Sequence, residues 1–248
     1  MRLDVFFGAH GLTSADVQGR VVVVIDVLRA STTIAVALAH GARTVIPFES
    51  AEEAITRSKS FERGQYKLAG ERKNLIIPGF DLGNSPREYT REAIEGKTIL
   101  FTTTNGTVAL IAVQSAREVL VGSFVNFTAV SAMVRAAARA RSDIAIVAAG
   151  SERHLSLEDT VCAGRYVRAI RRGLSDITMN DGAHAALQLE KKYGNDLPRL
   201  FVDASHGRTL TEAGFADDLA LCATLDAHPV VPVYQDRQVT KLGPDRER

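Results

Sequence analysis

Arg20-Val21-Val22-Val23-Val24-Ile25-Asp26-Val27-Leu28-Arg29-Ala30-Ser31-Thr32-Thr33 is the stretch that decides how this chain reads. The near-continuous β-branched run over residues 20–26 suits a strand covered on both faces, as in the interior of parallel sheets. A helix is expected over residues 31–40, ending at Gly41. A buried strand feeding straight into a helix is the opening half of a strand–helix–strand unit.

Outward from this stretch the same alternation continues. Strands are expected over residues 3–7, 44–48, 66–70, 97–103, 118–121 and 143–149, and helices over 51–62, 106–116 and 128–141. The pattern predicts an α/β fold, a layered α/β/α arrangement with a mainly parallel or mixed sheet. Beyond residue 149 helices dominate, over 155–172, 182–193 and 211–225, with one late strand over 230–234. The expected organisation is therefore an α/β core over 1–150 and a helix-rich part over 151–248 packed on that core, as two parts or as a single domain. Residues 74–89 interrupt the alternation with Pro78, Gly79, Asp81, Gly83, Asn84, Ser85 and Pro86, a turn-rich composition. Ile76, Ile77, Phe80 and Leu82 are too apolar for a disordered linker, so an ordered loop is expected. The tail, 244–248, is expected to fray.

Composition narrows the classes. Thirty Lys and Arg against 29 Asp and Glu leave a net charge of +1, and 46% hydrophobic with 24% charged residues is an ordinary globular balance. No basic field calls for nucleic acid, and no apolar run approaches the ~18 residues of a membrane helix. The first residues show no signal-peptide pattern, so a cytoplasmic protein is expected. Cys162 and Cys222 make no disulfide framework, and no C-x-x-C zinc pattern is present. Near-neutral charge and the Ala-rich helix over 128–141 would permit a homodimer.

Three strand ends carry polar side chains. The first delivers Asp26 to the carboxyl end of the valine strand, followed by Arg29 and the hydroxyls of Ser31, Thr32 and Thr33 at a helix start. Ligands of open α/β sheets sit at this edge, where free N–H groups and the helix dipole favour anions. The plainer account makes Ser31 a helix cap and Asp26–Arg29 a salt bridge. The second is Thr102-Thr103-Thr104-Asn105-Gly106-Thr107, which fits either a second anion cradle or a threonine-rich strand end with an Asn cap. The third is Gly150-Ser151 followed by Ser156-Leu157-Glu158-Asp159-Thr160-Val161-Cys162-Ala163-Gly164. Helical spacing puts Glu158, Asp159 and Cys162 on one face. The two acids either complement the dipole of a first turn or, with Asp26, hold Mg2+, which prefers hard oxygen ligands.

Other polar groups carry less. Glu71 follows a strand end and either joins the cleft or makes an exposed turn ion pair. The six histidines lack metal-ligand spacing, and His10 is the best placed of them. Asp217 and Asp218 read as surface charges, and Cys222 as core. There is no G-x-G-x-x-G, no P-loop and no G-x-S-x-G elbow. The second Asp of aspartyl-phosphate phosphatases is replaced by Leu28, and Cys162-Ala163-Gly164-Arg165 has the wrong spacing for a cysteine phosphatase.

Taken in order, Asp26-Val27-Leu28-Arg29-Ala30-Ser31-Thr32-Thr33, Gly70-Glu71-Arg72, Gly79-Phe80-Asp81-Leu82-Gly83-Asn84-Ser85-Pro86, Thr102-Thr103-Thr104-Asn105-Gly106-Thr107 and Glu158-Asp159-x-x-Cys162-Ala163-Gly164 resemble the 2-phosphosulfolactate phosphatase family. The resemblance runs from about residue 3 to 235. It implies an α/β fold peculiar to the family and Mg2+-dependent hydrolysis of 2-phosphosulfolactate to 3-sulfolactate and phosphate, a step in coenzyme M synthesis. Such a small anionic phosphorylated substrate carries phosphate, sulfonate and carboxylate, and so needs several anion cradles. On this reading Asp26 with Glu158 or Asp159, and Glu71 beside them, bind Mg2+, while Arg29 and the metal neutralise phosphoryl charge. Ser31, Thr32, Thr33, Thr103, Thr104, Asn105, Gly106 and Thr107, with Asn84 and Ser85 of the matched loop, orient the anion. The nucleophile is water, Asp26 or Cys162. Water is favoured, because Glu158 and Asp159 would raise the pKa of the Cys162 thiol. A phosphatase for another small phosphorylated carboxylic acid and a non-catalytic anion-binding protein are the alternatives.

Overall fold

The valine run is strand β2 (Val21–Ile25), and all five of its residues are buried. In the computed structural model, which describes residues 1–243, it follows β1 (Arg2–Phe7) and the short α1 (Ser14–Val17). After it come α2 (Ala30–Ala39), β3 (Thr44–Pro47), α3 (Ala51–Ser58), β4 (Tyr66–Arg72), β5 (Leu75–Ile76), α4 (Arg91–Ile94), β6 (Thr98–Thr102) and α5 (Gly106–Ala112). The chain continues through β7 (Glu118–Gly122), α6 (Phe127–Arg139), β8 (Ile144–Ala148), α7 (Leu157–Arg171), β9 (Thr178–Met179) and α8 (Asp181–Tyr193). It closes with α9 (Leu197–Asp203), α10 (Ser205–Glu212), α11 (Ala216–Cys222) and the pair β10 (Pro232–Gln235) and β11 (Gln238–Lys241). No helix of the described residues is long and apolar enough to cross a membrane.

The strands form one mixed sheet in the order β5-β4-β6-β3-β11-β10-β7-β2-β8-β1-β9. β4, β6 and β3 are mutually parallel, as are β7, β2, β8, β1 and β9. The β10–β11 hairpin joins the two blocks through three successive antiparallel pairings, which reverses one block relative to the other. Five strand-to-strand steps separate β6 from β2, and at about 20–25° of twist per step they turn one block by roughly 100–125° against the other. α2 is buried from Ala30 to Leu38 and packs across β3, β11, β10 and β7. Twist and reversal together bring the carboxyl ends of β2 and β6 to the same place, beside the start of α2.

Alternation along β2 explains why its run is apolar throughout. Val21, Val23 and Ile25 face the core made with β1, β8, α6, α7 and α8, whereas Val22 and Val24 face the core made with α2 and α5. Both faces of a central strand are covered, so no position tolerates a polar residue until Asp26 leaves the sheet.

Two expectations need correction. The helix expected over 211–225 is two helices, α10 and α11, with a break at 213–215, and α9 precedes them. The strand over 230–234 is the first arm of a hairpin whose second arm, β11, lies in the middle of the sheet. Mixed polar and apolar residues over 238–241 give no strand signal, because pairing on both edges rather than composition holds them extended. The loop over 74–89 is ordered, as expected: Ile77, Phe80, Asn84 and Ser85 are buried. The tail, 244–248, lies outside the described residues.

Candidate active site

A cavity of about 310 Å³ opens where the two blocks converge, with Asp26, Glu71, Asn74, Thr104, Asn105 and His206 in its wall. Larger hollows of about 770 and 700 Å³ flank the β10–β11 turn, but no buried carboxylate lines either of them. Chemistry therefore points to the smaller cavity.

Asp26 is held by its own turn. Its N–H donates to Ser31 Oγ at 2.8 Å, and its Oδ1 accepts the N–H of Ala30 at 3.1 Å. Gly106, the first residue of α5, lies against it: a Cβ there would sit 2.6 Å from Asp26 Oδ2 and 2.5 Å from the Ala30 side chain. Only glycine lets α5 approach α2 so closely. Burial, reinforced by the nearby charges of Glu71 and Glu158, lifts the Asp26 pKa to about 6, against the opposing pull of His206 and the Ala30 N–H.

The remaining acids divide by what their oxygens do. Glu71 accepts the N–H groups of Thr104 at 2.8 Å and Asn74 at 2.9 Å, pinning both loops to the cavity rim. Asp159 accepts the N–H of Val27 at 2.7 Å and that of Gly150 at 3.2 Å, so it ties α7 to two strand ends. Burial and the charges of Glu158 and Asp26 push its pKa well up. Glu158 differs. Its Oε1 lies 3.6 Å from His206 Nδ1, and its Oε2 is buried with no hydrogen-bond partner. His206 Nε2 lies 3.1 Å from Asn74 Oδ1, so both ring nitrogens face acceptors. Burial pulls the His206 pKa down, but Glu158 and then Asp26 outweigh it and leave the value above the usual one.

Several expected site residues occupy other settings. Arg29 is 2% exposed and points away from the cavity: it pairs with Asp218 at 2.7 Å, donates to the Asn74 carbonyl at 3.0 Å and stacks over Phe215. Asp218 is thus buried, not a surface charge; its neighbour Asp217 does sit at the surface, beside Arg87. Ser31, Thr32 and Thr33 are buried, and Thr32 and Thr33 donate to the carbonyls of Val27 and Asn84. Thr103 and Thr107 are buried and bond one another. This leaves Thr104 and Asn105 as the members of that block in the cavity wall. Ser85 donates to Asp218, and Asn84 is buried, so the far part of the loop, 79–86, braces α2 and α11 without lining the cavity. Cys162 is a core side chain, fully buried, with its thiol pushed well up by burial and then by Asp159. Gly164 lets α7 touch α8, since a Cβ there would run into the Ala186 carbonyl.

His206, Arg72, Lys73 and Asn74 share the wall with Leu28, Ser151, Glu152, Ser205 and Thr209. Lys73 and Asn74 are the two central residues of the β4–β5 turn, with φ of 52° and 69°, the values of a type I′ hairpin turn. Three polar groups of Asn74 are engaged: its N–H by Glu71, its carbonyl by Arg29 and its Oδ1 by His206. Nothing in the sequence marks His206, which stands 180 positions after Asp26 on a helix with no motif around it.

Buried carboxylates, a histidine and rim cations gathered at converging strand ends define an α/β enzyme that works on a small polar substrate. Comparison with known proteins narrows the class. Residues 9–237 match the family model described as 2-phosphosulpholactate phosphatase. A relative from Symbiobacterium thermophilum, named probable 2-phosphosulfolactate phosphatase, is 44% identical over 92% of this chain and 96% of its own length. Relatives of the same name from Caldanaerobacter subterraneus and Thermotoga maritima are 42% and 39% identical, over 94% and 87% of this chain and 95% and 89% of their own lengths. The chain belongs to the 2-phosphosulfolactate phosphatase family, whose members are phosphoric monoester hydrolases.

Proposed function

We propose that this protein is a Mg2+-dependent phosphatase that hydrolyses 2-phosphosulfolactate to 3-sulfolactate and phosphate in the cytoplasm, a reaction of the coenzyme M type. The observation that carries the reading is Asp26 in the cavity wall with Glu158 buried close by, beside His206: one carboxylate held up at about 6, the other with a buried oxygen lacking any partner. Surplus buried negative charge and an orphaned carboxylate oxygen are what a hard divalent cation relieves. No cluster of three or more ligating side chains stands ready among the described residues. That suits Mg2+, which takes one or two carboxylates and keeps several waters. Asp26 and Glu158 would hold it, whereas Glu71 and Asp159 use both oxygens on backbone N–H groups and act as braces. When bound, Mg2+ supplies Lewis-acid stabilisation of charge on the phosphoryl oxygens.

The chain's own groups account for the rest. Lys73 at the rim faces the anionic groups of the substrate, in place of the sequestered Arg29, while Arg72 spends its guanidinium on the Glu71 and Glu49 carbonyls and on Thr102 Oγ1. A water oxygen attacks phosphorus as the ester P–O bond breaks; the water's protons go to the product phosphate, one of them then passing back to restore the proton that His206 spends. His206 holds a proton on Nε2 against Asn74 Oδ1 and delivers it to the departing alkoxide oxygen, which becomes the 3-sulfolactate hydroxyl.

The test is phosphate release from 2-phosphosulfolactate, 2-phospholactate and 3-phosphoglycerate, each with Mg2+ and with EDTA. The expected result is Mg2+-dependent turnover with a preference for the sulfonated ester. Preference for another ester reassigns the substrate, turnover undiminished by EDTA removes the metal, and stabilisation by all three without turnover leaves a binding protein.

A further inference from the structure

A second concentration of charge lies on the outer face of α6 and α7, away from the cavity. Thr128, Ser131 and Arg135 fall at i, i+3 and i+7 on α6, and Arg165, Arg168 and Arg172 at i, i+3 and i+7 on and just after α7. The two stripes line one groove of about 260 Å³, with Phe127 at one end and no acidic residue in its wall. On a chain of net charge +1, four guanidinium groups in one concavity are a local excess.

The excess is only partly compensated. Arg168 reaches Glu190 of α8 at 2.8 Å. Arg165 is half-buried and lies over the Phe127 and Phe124 rings at 5.4 and 5.9 Å, which fixes its plane without neutralising it. The side chains of Arg135, also half-buried, and Arg172 make no hydrogen bond or ion pair with a described residue. Dipole complementation accounts for arginines in a last helical turn. It does not account for Arg135 and Arg165, which lie further inside their helices.

We propose that this groove is a second, non-catalytic anion site that takes a phosphate-bearing small molecule. Planar guanidinium groups bind tetrahedral oxyanions through paired N–H donors, and the Ser131 hydroxyl stands beside them, whereas the Thr128 hydroxyl is taken by Asp226 at 2.6 Å. The volume suits a compact polyanion, not a long polymer. Glu158 stands in the first turn of α7, and Arg165, Arg168 and Arg172 follow about 10, 15 and 21 Å further along, at 1.5 Å per residue, and the two cavities share no lining residue. The inference does not depend on the substrate proposed for the catalytic cavity.

The test is arginine labelling of the full chain by phenylglyoxal in Mg2+-free buffer, read peptide by peptide by mass spectrometry. Inorganic phosphate, pyrophosphate, a decameric polyglutamate and sodium chloride of matched ionic strength are compared. Pyrophosphate is expected to slow labelling of Arg135 and Arg172 at least about threefold relative to sodium chloride, leaving exposed Arg63 unchanged. The R135Q/R172Q variant should lose one class of pyrophosphate site by calorimetry and keep its phosphatase kcat and KM. Equal protection by sodium chloride, protection by polyglutamate alone, or an unchanged isotherm in the variant would overturn the proposal.

Discussion

Arg29 and Asp218, 189 positions apart, meet at 2.7 Å with side chains only 1% and 2% exposed. Asp218 also accepts from Ser85, and Arg29 also donates to the Asn74 carbonyl. The pair therefore joins the β2–α2 turn, the 74–89 loop and α11 behind the cavity. Arg29→Ala is expected to cost about 3–5 kcal/mol in denaturant unfolding, because it strands a buried carboxylate. The double variant R29M/D218L should recover most of that loss. A single variant of wild-type stability with weakened substrate binding would return Arg29 to direct contact with substrate.

Asp26→Asn is expected to abolish phosphatase turnover while leaving a folded protein. Its stability in metal-free buffer carries a sign. The folded pKa of about 6 lies above the ordinary 3.8, so the stability linked to this group is present below about pH 4 and is lost as pH rises through 6. The loss at neutral pH is on the order of 3 kcal/mol. Metal-free Asp26→Asn should therefore exceed the wild type in thermal stability at pH 7.5 and match it near pH 4. A variant less stable at both values would place the charged carboxylate among the stabilising groups.

His206→Gln tests the proton donor. The proton on His206 is retained above the usual histidine range, so wild-type kcat should fall on the alkaline side as that proton is lost. The variant should show kcat reduced by about 10²–10⁴ and no such alkaline limb. An unchanged limb in the variant would assign it to another group.

Cys162→Ala distinguishes water from a thiol nucleophile. The side chain lies inside the apolar core beneath α7, and its thiol is pushed well above the ordinary range. Turnover should stay within about twofold of wild type while stability falls by roughly 0.5–3 kcal/mol. Abolished turnover in a variant of normal stability would make the thiol the nucleophile.

The strand and helix pattern of the first 150 residues was legible because local composition and burial agree there. β2 is apolar throughout since both of its faces are covered, and Asp26 is the first polar side chain where that cover ends. The blocks carrying Glu71, Thr104, Asn105 and Glu158 were legible for the same reason: polar residues at the ends of buried strands need a purpose. What each of those residues does was not legible. Ser31, Thr32, Thr103 and Thr107 spend their hydroxyls on groups four or five positions away, Thr33 reaches Asn84 and Asp159 holds Val27 132 positions away, because the partner each finds is settled by the folded geometry of the strand ends and not by residue type.

Residue order alone therefore determined an α/β protein with acids and hydroxyls at its strand ends, through periodicities that act over a few residues. Only the tertiary structure decided which acids keep a free oxygen, that Arg29 turns inward to Asp218 and that His206 enters the cavity. The physical reason is that a β10–β11 hairpin from the far end of the chain reverses and twists the sheet, and this long-range pairing leaves no local trace.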